Sequence, residues 1–225
     1  MTDAPGRLLA SGRAADVFDL GDGTVLRRYR IDHDTAAEAR IMRWAAEQGL
    51  PVPHVHRSEG PDLVMDHVAG PTMLEALQRR PWTLRRHARL LASLQSRIGA
   101  LRAPSWVAPV RTGPPGDALL HLDLHPMNVL IGTDGPVVID WTNAARGPAA
   151  LDAGYSFVLM STFEARRAFE RFGQRAFAST FAGARGRAAV DELLLAACEL
   201  RLADRATTDG ERDAIRRLRA RHAAR

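Results

Sequence analysis

Lysine is absent from these 225 residues, and all 31 basic side chains are arginine. Wherever a site needs a fixed cation, arginine has to supply it. Cysteine is nearly absent as well. Cys198 is the single one, so no internal disulfide forms, and its setting in the apolar run LLLAACEL reads as a reduced, buried thiol. There is no run of about 18 apolar residues, which excludes a membrane-spanning helix. The opening segment MTDAPGRLLASGR lacks a basic stretch followed by an apolar core, so no signal peptide is expected and a cytoplasmic location is. Internal repeats and low-complexity linkers are also missing. The net charge of +5 raises the question of an anionic partner. The arginines are spread among acids, however, as in RATTDGERDAIRRLRARHAAR, which reads as a solvated helix with a basic end. Nucleic acid is therefore not the expected partner. Apolar residues make up 46%, enough for a sizeable core in one bilobed unit or two small domains.

The most informative stretch is HLDLHPMNVLIGTDGPVVIDW, residues 121–141. Asp123 and Asn128 fall on what reads as a tight loop. The apolar run Val129-Leu130-Ile131 follows, then the turn Gly132-Thr133-Asp134-Gly135, then Val137-Val138-Ile139 ending on Asp140. Two apolar runs around such a turn form a hairpin signal, which folds Asp140 back toward Asn128. A carboxylate base, an amide and a second carboxylate at one end of a hairpin suit phosphoryl transfer from Mg-ATP. Asp123 can take the acceptor's proton. Magnesium takes oxygen ligands and usually only one or two from the protein, which Asn128 and Asp140 can supply. A zinc reading of His121 and His125 fails, because Pro126 opposes a helix there and no H-E-x-x-H pattern is present.

The run His121-Leu-Asp123-Leu-His125-Pro-Met-Asn128, followed by Ile139-Asp140-Trp141, resembles the catalytic and metal-binding segments of the aminoglycoside phosphotransferase and choline kinase family. These are small-molecule kinases with a protein-kinase-like fold. Protein kinases carry H-R-D-L-x-x-x-N and D-F-G at the matching places. Leu122 replaces the arginine and Trp141-Thr142 the Phe-Gly, which points to the small-molecule branch. The resemblance implies an α+β, bilobed protein-kinase-like fold with a small β-rich N-terminal lobe and a mainly helical C-terminal lobe. It implies ATP and Mg2+ as cofactors. The expected lobes are 1–69, with a hinge near 66–70, and 70–225, which carries the hairpin 121–141.

The order of elements agrees. Strands over 17–20 and 24–27 flank Gly21-Asp22-Gly23. A helix spans 34–48, with Thr35-Ala-Ala-Glu38 as a capping box, Ala37, Ile41, Trp44 and Ala45 on one face, and Gly49 and Pro51 closing it. Short strands follow over 52–55 and 63–65, then the breaker Asp66-His67-Val68-Ala69-Gly70-Pro71. Beyond it, helices are expected over 72–79, 83–101, 152–160, 162–182, 190–206 and from 209.

On the nucleotide side, Gly12 and Arg13 lie in SGRAADV, at the place of the phosphate-covering loop, where backbone N–H groups can meet phosphate. This loop has no G-x-G-x-x-G and could equally be a plain hairpin turn. The resemblance puts Arg27 where the family has its phosphate-binding lysine, a departure that keeps the charge on a longer, planar group. Arg28 takes the role if the strand register shifts by one. Glu38 matches the helix glutamate that pairs with that cation, though as third residue of a capping box it could cap its own helix. Val17, Val25, Met65, Leu130 and Ile139 are candidates to sandwich the adenine, or generic core. The backbone of Asp66 and Val68 would meet its edge. His121 is expected to brace the catalytic loop, and Asp152 to cap a helix or hold that loop.

The implied partner is a nucleotide plus a small-molecule acceptor with a hydroxyl or amine. From residue 151 onward there are 14 Arg against 10 Asp and Glu, so an acidic pocket for a polycationic aminoglycoside is not evident. An aromatic cage for a quaternary ammonium is not evident either. A different class of protein, a kinase-fold nucleotide-binding or scaffold module with little turnover, is suggested by Arg27 and the poor phosphate loop.

Overall fold

A computed structural model describes residues 6–12, 14–31, 33–111, 113–165 and 167–224. The chain divides into two compact units, Met1–Pro71 with Val129–Thr142, and Thr72–Asn128 with Asn143–Arg225.

The first unit is built on β1 (Arg7–Ser11), β2 (Ala15–Asp19), β3 (Thr24–Tyr29), β4 (Val55–Glu59) and β5 (Asp62–Asp66). They form one antiparallel sheet in the order β1-β2-β3-β5-β4. The turn between β2 and β3 works because Gly21 and Gly23 sit at φ +82° and +87°, where a side chain would be strained. Asp22 Oδ1 accepts the Thr24 N–H at 3.0 Å and closes it. The strand expected over 52–55 begins only at Val55. Pro51 and Pro53 have no N–H to give to a ladder, so the preceding stretch stays irregular.

Helix α1 (Ala36–Glu47) follows β3, and its end is marked by Gly49 at φ +78°. Its buried face is Glu38, Ala39, Ile41, Met42 and Ala45: of the expected face Ile41 and Ala45 are buried and Trp44 is half-buried, while Ala37 is exposed and a glutamate is inside. The expected capping box does not form. The buried Thr35 hydroxyl donates to the Gly60 and Asp62 carbonyls, at 3.0 and 3.1 Å. Asp34 Oδ1 instead accepts the Ala36 N–H at 2.9 Å. Glu38 is thereby freed for other partners.

The hairpin has β7 (Val129–Gly132) and β8 (Gly135–Val138) in the expected register around Thr133-Asp134. The hairpin groups with the first unit. The Ile131 N–H donates to Pro71 O at 2.8 Å and the Val138 N–H to Pro51 O at 2.7 Å. Gly70, at φ +151°, lies so close to the Ile131 carbonyl that a Cβ there would sit 2.2 Å from its oxygen.

The second unit is mainly helical: α2 (Met73–Arg79), α3 (Leu84–Gly99), α4 (Ala149–Thr162), α5 (Ala168–Arg185), α6 (Arg187–Asp191), α7 (Leu194–Ala203) and α8 (Asp209–Ala223), with β6 (Ala118–Leu120) paired to β9 (Ala145–Gly147). Helix α4 is buried on nearly every side and forms the centre, which explains its continuous apolar run. The helix expected from 162 begins instead at Ala168. Residues 163–165 are held outside it, the Phe163 carbonyl by Gln174 Nε2 at 2.8 Å and the Glu164 carboxylate by the Thr208 hydroxyl at 2.7 Å. Cys198 is buried, and burial pushes its thiol up to about 11, as for an inert core cysteine. Among the described residues no helix is long and apolar enough to cross a membrane.

Candidate active site

In the first unit the site centres on Arg27, which β3 turns inward between β2 and β5. Its guanidinium is mostly buried and forks. Nη1 donates to Glu38 Oε1 at 3.1 Å and Nη2 to Asp140 Oδ1 at 2.8 Å. Burial works to lower the pKa of this group, but the charges of Glu38 and Asp140 outweigh it and hold the guanidinium above its ordinary value. The register question is settled by geometry, since Arg28 points elsewhere, to Asp62, at 2.6 and 2.7 Å.

Glu38 is saturated with donors. Besides Arg27 it accepts the Tyr29 hydroxyl on Oε2 at 2.8 Å and the Trp141 N–H on Oε1 at 3.2 Å. Tyr29 lies 2.7 Å from the Thr142 hydroxyl, which in turn donates to Asp140 Oδ1 at 2.9 Å. Burial first, and the charge of Glu38 next, push the Tyr29 phenol well above its ordinary range, so it remains a donor. Asp140 itself sits at φ +66°, rare for a residue with a side chain. Trp141, fully buried, donates Nε1–H to Val138 O at 3.2 Å and anchors that turn.

Val25 and Met65 are buried and face each other in register across β3 and β5. Leu130, Ile139 and Val68 are half-buried, and Val68 packs near Gly132 of the hairpin. Asp66 ends β5, with its N–H donated to His54 O at 2.9 Å. Gly12 is exposed and its N–H closes on Ala15 O at 2.9 Å. Arg13 lies outside the described residues.

In the second unit, Asp123 and Asn128 share one loop. Asn128 Nδ2 donates to Asp123 Oδ2 at 3.0 Å and to the Asp123 carbonyl at 2.9 Å. The Asn128 N–H donates to His125 O at 2.9 Å, which tightens the turn. His121 is fully buried, and its Nδ1 accepts the Asp123 N–H at 3.2 Å. Asp152, fully buried on α4, accepts the Leu122 N–H at 2.8 Å. Leu122, at φ +57°, is the second strained residue of the site. Burial raises the Asp152 pKa, opposed by His121 and the N–H donors of Leu122 and His121. Gln95 Nε2 lies 3.4 Å from the other oxygen of Asp152.

The sequence reading missed Tyr29, Thr142 and Gln95. Tyr29 was within reach, because residues two apart on a strand share a face and Arg27 was already placed.

Comparison with solved structures gives the fold. The Mesorhizobium loti choline/ethanolamine kinase family protein matches at TM-score 0.55 and 20% identity, over 99% of this chain and 88% of that one. The gentamicin complex of APH(2")-IIa matches at TM-score 0.65 and 13% identity, over 97% and 89%. A thermostable mutant of APH(4)-Ia, in ternary complex with AMP-PNP and hygromycin B, matches at 0.63 and 17%, over 96% and 91%. The fold is thus the α+β, kinase-like fold of small-molecule kinases. No curated protein matches the chain in sequence. The sequence does match the phosphotransferase enzyme family (APH) over residues 5–114 and 56–193, and the chain belongs to that family.

Proposed function

We propose that the protein is an ATP- and Mg2+-dependent phosphotransferase acting on a hydroxyl or amine of a small molecule in the cytoplasm. The observation that carries this reading is the 3.0 Å hydrogen bond from Asn128 to Asp123, which fixes a carboxylate beside an amide on a braced loop. In this reading Asp123 receives the acceptor's proton as the acceptor oxygen or nitrogen takes the γ-phosphoryl group and ADP leaves. His121, through Asp123 N–H, and Asp152, through Leu122 N–H, hold the loop.

The donor set fits magnesium, because Asn128 spends its Nδ2 on Asp123 and keeps its amide oxygen, while Asp140 offers a carboxylate. When bound, Mg2+ and ATP supply the neutralising charge and the phosphoryl group. Arg27 contacts phosphate oxygens, with Glu38 orienting it. Gly12 and Arg13 belong to the loop over the phosphates. Val25, Met65, Leu130 and Ile139 line the adenine, and the backbone of Asp66 and Val68 meets its edge. The nucleotide lobe is 1–69 with a hinge at 66–70. The acceptor, aminoglycoside-like or choline-like, belongs to the helical lobe.

A second reading, a kinase-fold nucleotide-binding or scaffold protein, is favoured by Arg27 in place of lysine and by its grip on Asp140. Incubation with labelled ATP, Mg2+ and an acceptor panel separates the two. Product from the wild type and none from Asp123→Asn supports the enzyme. Nucleotide-dependent thermal stabilisation without product supports the binding module. Failure to bind Mg-ATP overturns both.

A further inference from the structure

We propose that His54, His56 and Asp66, in the first unit, form a binding site for a divalent transition-metal ion, with zinc the best match. Its three side chains have no part in the phosphotransfer reading, in which Asp66 contributes its backbone alone. One ligand atom from each residue lies within 4.8 Å of the others. His56 Nε2 is 2.7 Å from Asp66 Oδ1, and the two imidazoles stand edge to face with centroids 4.8 Å apart.

The backbone explains why they converge. Strand β4 is the sheet's edge, paired only with β5. Its register jumps from Val55↔Met65 to Arg57↔Val64, so His56 is the extra residue of a β-bulge. Bulges re-aim side chains, and this one turns His56 onto the carboxylate at the end of β5. The Asp66 N–H donated to His54 O, at 2.9 Å, fixes the third member on the same rung. The frame is therefore the β4 edge and the end of β5, with His54 one residue ahead of β4 and tied to β5 by that bond.

The chemistry selects the ion. Two imidazoles and one carboxylate suit zinc, nickel or copper, whereas magnesium and calcium want oxygen alone. Zinc bonds nitrogen at about 2.0–2.1 Å, so small side-chain rotations bring the three atoms from their present spacing into a coordination shell. All three residues are exposed, so water can complete it. A surface ion pair between His56 and Asp66 would be worth little by itself and would not account for His54 turned to the same point.

The test uses the full-length protein, stripped with EDTA and titrated with zinc chloride in magnesium-free buffer against a chromophoric zinc chelator. One equivalent is expected to bind. Loss of even an outer-shell partner weakens metal sites about 10–100-fold, so His54→Ala and His56→Ala should each weaken zinc by at least about tenfold. His222→Gln, a control histidine, should leave it unchanged. Each variant is read against its own metal-free circular dichroism spectrum. Wild-type protein that cannot compete with the chelator overturns the proposal. So does zinc binding that survives His54→Ala and His56→Ala combined.

Discussion

Arg27 and Asp140 are joined by a 2.8 Å hydrogen bond from Nη2 to Oδ1, although 112 residues of sequence separate them. The guanidinium cannot lose its proton in this setting, since two carboxylates face it. It remains a fixed cation beside the residue proposed to hold magnesium. Arg27→Ala should therefore lower kcat/KM for the nucleotide by about a hundredfold, the scale of losing one preorganised charge-stabilising donor. Arg27→Lys keeps the charge and should retain most of the rate. Steady-state kinetics on an acceptor found by the panel would check both. Equal loss in the two variants would mean that the fork geometry, and not the charge, is what matters.

Glu38 accepts three donors while almost fully buried. Glu38→Ala takes one partner from each of Arg27, Tyr29 and the Trp141 N–H, leaving Asp140 to Arg27 and Thr142 to Tyr29, so the loss should fall at or below the about 3–5 kcal/mol of breaking a buried ion pair from one side. Urea denaturation should show that loss. Glu38→Gln, which keeps an acceptor oxygen, should lose less. If Glu38→Ala were as stable as the wild type, the network would contribute only orientation.

Gly70 is expected to resist substitution. Its φ of +151° and its approach to the Ile131 carbonyl leave no room for a Cβ. Gly70→Ala must shift that carbonyl and with it the Ile131 N–H bond to Pro71. Forced backbone of this kind costs about 1–3 kcal/mol, and the midpoint of urea unfolding would move accordingly. An unchanged midpoint would mean that the segment relaxes freely.

His87, on α3, carries a pH prediction. Burial depresses its pKa below the ordinary 6.5, with Thr83 O opposing and Arg86 assisting. Between the folded value and 6.5 the unfolded chain binds more protons than the native one, so stability falls as pH falls through that window. Melting temperature should drop on acidification below about pH 6.5, and His87→Gln should flatten that slope. A slope identical to that of the wild type would assign it to other groups.

The hairpin 129–138 was legible because two short apolar runs flank the turn residues Gly132-Thr133-Asp134-Gly135, and the register follows from that turn. The pairing of Arg27 with Glu38 was legible only through the resemblance, since the local pattern offered a capping box equally well. That alternative failed for a non-local reason: the Thr35 hydroxyl is drawn to the carbonyls of Gly60 and Asp62. The inward face of α1 was legible at Ile41 and Ala45 but not at Glu38, because a buried glutamate does not register in a hydrophobic pattern. Proline chemistry at 51 and 53 shortened a strand that apolar content alone had extended. The tie from Asp152 to Leu122 could not be read locally either, with twenty-nine residues of chain between them.

Because Val129–Thr142 groups with Met1–Pro71, the polypeptide passes between the two units three times, after Pro71, Asn128 and Thr142. Neither unit is a contiguous piece of gene. A fragment ending near residue 71 would lack the strand pair that hydrogen-bonds Pro51 and Pro71, and one starting there would carry that pair without its partners. A single protease cut at any of these three borders would nick the molecule without releasing an intact half. Dissection of this protein therefore calls for circular permutation or split-chain complementation, with truncation giving two incomplete parts.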